Sequence, residues 1–166
     1  KLIAVGGLVG YGNCIGGNIN YGNISVSATS SFNGNIAIAG LVGFGQVWKN
    51  NLNDEDKTIT NVKNYGNLDV KGTYTKTDRS GELLVAGCSA SFNEKEYNNA
   101  ECKITKSDWY NYGSINVDVT PSLTVLVGGV GIYLKSFTND TLQNLYNNGN
   151  ISVNNRVDNQ NVRIGG

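Results

Sequence analysis

Asn64-Tyr65-Gly66-Asn67 runs directly into Leu68-Asp69-Val70-Lys71, and variants of these eight residues occur four times in the 166-residue chain. A phrase that recurs every few tens of residues is the sequence signature of a repeat architecture. The recurrence therefore decides the fold prediction. The other copies are Asn20-Tyr21-Gly22-Asn23-Ile24-Ser25-Val26-Ser27, Asn111-Tyr112-Gly113-Ser114-Ile115-Asn116-Val117-Asp118 and Asn147-Asn148-Gly149-Asn150-Ile151-Ser152-Val153-Asn154.

A second phrase, a short apolar run that ends in two small residues, recurs before each copy of the first. Its second small residue is a glycine at intervals of 33, 47, 42 and 37 residues, namely Gly7, Gly40, Gly87, Gly129 and Gly166. The two phrases divide the chain into repeats of about 40 residues. Their approximate bounds are 1–34, 35–81, 82–123 and 124–161, with the start of a fifth at 162–166. We expect residues 1–166 to be a single repeat domain cut from a longer array.

Apolar and polar residues alternate after the turn motif, as they do in a strand with one buried face. The predicted outward residues there are Ser25, Asp69, Asn116 and Ser152. In the apolar run, branched residues alternate with Ala4, Ala37, Leu84, Leu126 and Arg163, which are predicted to face outward. Leu84 beside Leu126 would then form a small apolar contact patch, although two exposed leucines are also ordinary.

One repeat cannot bury its own apolar face, so neighbouring repeats must cover it. No part of the chain has a helical apolar period. The sequence therefore predicts an all-β fold, a parallel β-solenoid resembling a β-helix and built from four repeats.

The turn motif itself is predicted to be structural. We expect its glycines, Gly22, Gly66, Gly113 and Gly149, to occupy turns with positive φ, where a side chain costs about 1 to 2 kcal/mol. The flanking asparagines can bond to their own turns or to each other from copy to copy as a ladder. Tyr21, Tyr65 and Tyr112 are expected to stack as a column.

Composition excludes several classes of function. Thirteen basic and thirteen acidic residues leave no net charge, so nucleic-acid binding is not predicted. No apolar run approaches the ~20 residues of a membrane span, and no cofactor is predicted. The chain contains no His, which excludes Ser-His and Cys-His nucleophiles and imidazole metal sites. Cys88 and Cys102 could pair while Cys14 stays free, or all three cysteines could be buried thiols.

Together, Gly7-Leu8-Val9-Gly10-Tyr11, Gly40-Leu41-Val42-Gly43-Phe44 and Asn144–Ser152 resemble the GLUG repeat, a family named for its Gly-Leu-Xaa-Gly signature. The third and fourth copies depart from that signature at Cys88-Ser89-Ala90 and Val130-Gly131-Ile132. GLUG repeats occur in arrays on bacterial surface proteins, including adhesin-like proteins. The resemblance implies an extracellular or cell-surface, non-catalytic array, and it carries over no catalytic residue.

Ligand contacts are therefore sought outside the repeated motif. Flat aromatic rings stack on sugars, and the candidates in or beside insertions are Trp48, Trp109, Tyr110 and Tyr97, with anchoring of loops to the core as the alternative. Asp54 and Asp56 are a weak Ca²⁺ candidate, because their loop lacks the glycine and spaced glutamate of a calcium loop. Asp69 and Asp118 are the acids that a carbohydrate-active β-helix would use, although no second acid recurs opposite them.

These features predict a non-catalytic structural or adhesive domain of a secreted or surface-attached bacterial protein. Its partners would be neighbouring repeats of the same chain and a host or cell-surface protein or glycan. The alternative is a carbohydrate-binding or carbohydrate-active β-helix module that uses loop aromatics and acids. An ice-binding solenoid is a weaker third reading, because the threonines Thr58, Thr60, Thr73, Thr75 and Thr77 are scattered.

Overall fold

The computed structural model of the chain describes residues 2–13, 16–31, 34–49, 57–75, 81–96, 104–121, 124–134, 140–156 and 161–166. Within these ranges the chain forms β-strands and no helix. In chain order the strands are β1 (Leu2–Gly6), β2 (Val9–Asn13), β3 (Ile19–Asn20), β4 (Ile24–Ser31), β5 (Asn35–Ala39), β6 (Val42–Lys49), β7 (Lys57–Asn64), β8 (Leu68–Thr75), β9 (Glu82–Ala86), β10 (Ser89–Glu96), β11 (Ile104–Asn111), β12 (Ile115–Pro121), β13 (Thr124–Gly128), β14 (Thr141–Asn147), β15 (Ile151–Asn155) and β16 (Val162–Gly165).

The strands form four sheets, and every strand pair in them is parallel. Sheet A has the order β1-β5-β9-β13-β16, sheet B β2-β6-β10, sheet C β3-β7-β11-β14, and sheet D β4-β8-β12-β15. The predicted all-β class with parallel sheets is confirmed. Equivalent positions of the repeated phrases are paired, so that Ile24, Leu68, Ile115 and Ile151 lie in one row across sheet D.

The main apolar core lies between sheets A and D. The predicted inward residues of both strand types meet there, and the buried ones include Ile36, Ile38, Leu68, Val70, Leu83, Val85, Ile115, Val117, Val125 and Val127. Burying one such side chain contributes about 1.5 to 3 kcal/mol before chain entropy is subtracted. A second core contains Leu41, Val42, Ile59, Val62, Cys88, Ile104 and Trp109, and it joins sheets B and C.

The predicted outward face of sheet A is covered at Leu84 and Leu126, so these leucines form no exposed patch, whereas Arg163 of β16 is exposed as predicted. Leu84 and Leu126 are buried and cluster with Ala37 and with Ala90 of β10. Two residues, such as Gly7-Leu8, separate each sheet B strand from the sheet A strand before it, and Ala90 of sheet B packs against sheet A. Glycine makes this approach possible, since a Cβ on Gly43 would lie 2.6 Å from the Val5 carbonyl oxygen.

Candidate functional site

An asparagine ladder runs through sheet C and is formed by Asn20, Asn64, Asn111 and Asn147. The Nδ2 of each of the first three donates to the Oδ1 of the next, at 2.8, 2.8 and 2.7 Å. Each Nδ2 also donates to the carbonyl oxygen of the glycine two residues later, as from Asn64 to Gly66 at 2.8 Å. The predicted copy-to-copy ladder is confirmed, and it satisfies amides that would be costly to bury unbonded.

The glycines that end the apolar runs pack against the asparagine side chains of this ladder. A Cβ on Gly40 would lie 2.4 Å from Cγ of Asn64, and one on Gly87 would lie 2.4 Å from Cγ of Asn111. The end of the apolar run therefore packs on the asparagine of the turn motif. This contact explains physically why both phrases recur together.

The predicted positive φ of Gly22, Gly66, Gly113 and Gly149 is wrong, since none has φ in the left-handed range. Glycine is required at three of them by close approach instead. A Cβ on Gly66 would lie 1.9 Å from the Gly22 carbonyl oxygen, and one on Gly113 would lie 1.9 Å from that of Gly66. The turns of adjacent strands are thus in direct backbone contact.

Four residues with left-handed backbone form a column along sheet C that the sequence analysis missed. Asn61, Asp108 and Asn144 have φ of 59°, 58° and 51°, and Gly17 has φ of 79°. Asp108 accepts hydrogen bonds from the Thr60 hydroxyl at 3.0 Å and from Asn144 Nδ2 at 2.9 Å. These bonds, that of Asn144 above all, lower the pKa of Asp108. The signal was present, because Gly, Asn and Asp are the residues that tolerate this backbone.

Five tyrosines, of which Tyr110 is half-buried and the others exposed, form a row of rings that we call the tyrosine strip: Tyr21, Tyr65, Tyr112, Tyr110 and Tyr146. Ring centroids are 5.0 Å apart for Tyr21 and Tyr65 and 4.7 Å apart for Tyr65 and Tyr112, with interplanar angles of 9° and 7°. The predicted column of three is confirmed. Tyr110 continues the row, at 6.0 Å from Tyr112 and 5.3 Å from Tyr146.

Stacking limits what the tyrosine strip can bind. Tyr65 lies between the rings of Tyr21 and Tyr112, so it presents its edge and hydroxyl rather than a face to solvent. Tyr21, at one end, is 72% exposed, against 41% for Tyr65 and 39% for Tyr112. Partial burial, with the nearby charge of Asp108, raises the pKa of Tyr110. A sugar that needs an open aromatic face would find one only at the ends of the strip.

The outer face of sheet D forms a shallow depression of about 610 Å³, which we call the polar trough. Strand register sets polar side chains in rows across it, such as Ser25, Asp69, Asn116 and Ser152. Asp118 accepts from Arg156 Nε at 2.8 Å and from Asn154 Nδ2 at 3.0 Å. The hydrogen bond from Arg156 is the main cause of the lowered pKa of Asp118. The Asp69 carboxylate lies 2.8 Å from Lys71 Nζ, and this hydrogen bond raises the pKa of Lys71.

The structure corrects one ligand-contact candidate. Trp109 is fully buried, and its Nε1 donates to the Ile59 carbonyl oxygen at 2.9 Å, so its ring packs in the core between sheets B and C. Tyr110 belongs to the tyrosine strip. Only the backbone of Trp48 is described, in β6, whereas Tyr97, Asp54 and Asp56 lie outside the described residues.

Of the three cysteines, only Cys88 lies in the described part of the chain. The Cys88 thiol is buried in the leucine position of the signature and donates to the Tyr110 carbonyl oxygen at 3.4 Å. Cys14 and Cys102 lie outside the described residues. Among the residues that are described, no three Cys, Asp or Glu side chains come together in a way that could hold a metal ion.

No helix in the described part of the chain is long and apolar enough to cross a membrane. Comparison of the whole chain with known proteins gives no match to a protein family, to a curated protein or to a solved structure.

Proposed function

We propose that this chain is a non-catalytic structural or adhesive repeat domain of a secreted or surface-attached bacterial protein. In this proposal it is a parallel β-solenoid of four repeats of about 40 residues, which spaces or displays a binding surface. The GLUG-like phrases described above supply the family context.

One observation carries the proposal: the recurring residues make contacts with their own copies. The ladder asparagines bond to one another, the tyrosines of the motif stack, and the turn glycines touch backbone to backbone. A motif used in this way holds successive copies together, and variable segments are left for recognition. In each sheet the equivalent strands of successive copies are paired neighbours, which supports the proposal of an array whose copies contact mainly the next copy.

A catalytic role finds no support in the acids of the polar trough. A glycoside hydrolase needs one carboxyl group whose pKa is raised so that it can donate a proton. The pKa of Asp118 is lowered by Arg156 instead, so at neutral pH this group is an anion that holds a cation. Asp69 and Asp118 fit ion pairs on a solvated face better than an acid and base pair.

The experiment that tests the proposal is the insertion of a second copy of residues 82–123 directly after residue 123. If copies stabilise their neighbours, the longer protein unfolds at a higher urea concentration and with a larger m-value, since more surface is exposed on unfolding. A scrambled insert of the same composition is the matched control. A longer protein with an unchanged or lower midpoint would contradict the proposal.

A carbohydrate-binding module is the second candidate, and the polar trough is the observation that favours it. Its rows of short polar side chains repeat at the strand spacing of about 4.8 Å, which suits an extended polyhydroxylated chain lying across the strands. The test is a glycan array with the intact protein, an Asn116→Ala variant and a Trp48→Ala variant. Binding lost only with Asn116→Ala would place the ligand in the trough, and binding lost only with Trp48→Ala would favour the aromatic candidate.

A further inference from the structure

We infer that the tyrosine strip is a site of oxidative modification, at which dityrosine cross-links form between tyrosines of neighbouring strands. Cross-linking at these rings follows from their geometry and does not require the proposed adhesive function. Failure of either therefore leaves the other standing.

The sheets hold the rings in pairs that suit coupling. Parallel strands lie about 4.8 Å apart, and the Tyr65 and Tyr112 rings follow that spacing with a centroid distance of 4.7 Å and an interplanar angle of 7°. Tyr21 lies 5.0 Å from Tyr65, and Tyr110 lies 5.3 Å from Tyr146. In each pair the rings are nearly parallel and come from equivalent positions of neighbouring copies, so their ring carbons are close without any movement of the backbone.

Exposure makes these phenols accessible. Tyr21, Tyr65, Tyr112 and Tyr146 are all exposed, so an oxidant in solution reaches them, and coupling requires rotation of the side chains only. Tyr74 is the contrast, because it is buried and its hydroxyl donates to the Lys71 carbonyl oxygen. Tyr11 is a second contrast, since it is exposed but stacks on Phe44 at 5.4 Å.

The reaction requires a one-electron oxidant, and hydrogen peroxide with a heme peroxidase is the class that fits. Each of two phenols loses one electron and one proton to give a tyrosyl radical. The radicals form one carbon–carbon bond between ring carbons adjacent to the phenol oxygens. The hydrogens on those carbons then move to the oxygens and restore two phenols. Two hydrogens leave the protein in all, and one peroxide becomes two waters.

The product joins segments that are distant in sequence. A cross-link between Tyr21 and Tyr65 closes a loop of 44 residues, and one between Tyr65 and Tyr112 closes a loop of 47 residues. A covalent bond of this span restricts the unfolded chain as a disulfide does. We therefore expect oxidised monomer to unfold at a higher urea concentration than untreated monomer.

The test treats dilute protein with peroxidase and hydrogen peroxide, isolates the monomer, and measures dityrosine fluorescence, intact mass and cross-linked peptides. We expect monomer that has lost two hydrogens per cross-link, with Tyr65 and Tyr110 in the linked peptides. The variant Tyr65→Phe with Tyr110→Phe keeps the rings but removes the shared phenols, and it should lose most of the signal. Tyr11→Phe is the matched control and should keep the full yield.

A sample unfolded in urea distinguishes tyrosine pairs that the fold places side by side from tyrosines that meet at random in a flexible chain. The yield of monomeric cross-link should fall several-fold there, because the rings are no longer side by side. Equal yields in the folded and unfolded samples would overturn the inference. So would an undiminished yield in the double variant, or cross-links found only between molecules.

Discussion

The interior and outer copies of the same motif differ in burial although their sequences are nearly the same. Asn64 is completely buried whereas Asn147 is only partly so, and Ile38 is completely buried whereas Ile164 of β16 is 56% exposed. The difference follows from the number of neighbours, because β5 and β7 are paired on both sides whereas β14 and β16 are paired on one side. Burial in this fold is thus supplied by the next copy, and the residue type alone does not determine it.

Alanine substitutions at Gly66, in an interior turn, and at Gly22, in an outer turn, should differ most in their effect on stability. In Gly66→Ala the new Cβ overlaps the Gly22 backbone at 1.9 Å, and the strands must separate. We expect a loss of roughly 3 to 5 kcal/mol, at or above the usual cost of overpacking. In Gly22→Ala the nearest atom is Asn20 Oδ1 at 3.5 Å, so stability should stay level or rise by up to about 1 kcal/mol. Urea unfolding of both variants measures this, and equal losses would show that direct contact between turns is not the constraint.

Asn64 and Asn147 compare an interior with an outer rung of the ladder. Asn64→Ala removes donation to Gly66 and Asn111 and acceptance from Asn20. Because buried amides are left unsatisfied, we expect a loss of about 2 to 4 kcal/mol. Asn147→Ala removes donation to Gly149 and acceptance from Asn111 at a half-buried site, and should cost about 1 kcal/mol. Asn64→Asp tests the amide itself, since it keeps the shape and lacks the donor; a variant as stable as wild type would refute the ladder's role.

Val70 and Val153 extend the comparison to the apolar core. Both face the core between sheets A and D, but Val70 is fully buried and Val153 partly exposed. Val70→Ala should cost about 2 to 3 kcal/mol through lost burial and a residual cavity. Val153→Ala should cost about 1 kcal/mol, because solvent already reaches the site. The urea midpoints of the two variants measure the two losses of stability. A larger loss for Val153→Ala than for Val70→Ala would contradict the idea that burial by neighbouring copies sets the cost.

Much of this arrangement could be predicted from the sequence, because the copies of a repeat can be aligned with one another within a single chain. The positions of Tyr21, Tyr65 and Tyr112 in one motif predicted their stacking, and the alternation after the turn predicted which face is buried. The burial of Leu84 and Leu126 could not be predicted, because alternation gives two faces without telling which neighbour covers the second. The same limit applied to Gly66, whose requirement comes from another turn and not from its own φ. For Trp109 the sequence left ligand contact and anchoring to the core as alternatives, because its segment departs from the other copies, and its burial decides for the core.

The pair of Asp118 and Arg156 should give the smallest effect, since both side chains lie on the solvated face of sheet D. Arg156 lowers the pKa of Asp118, so the stabilising contribution is present above the usual aspartate pKa of about 3.9. It is lost as the pH falls through the lower value in the folded protein. A double-mutant cycle with Asp118→Asn and Arg156→Gln should show a small favourable coupling at neutral pH, reduced by salt. The coupling should vanish once Asp118 is protonated.

Asp108, whose pKa is also lowered, titrates in all four proteins of the cycle, so its contribution cancels. Coupling that persisted after Asp118 is protonated would mean that a hydrogen bond from Arg156 to the neutral carboxyl group, rather than the ion pair, links the two residues.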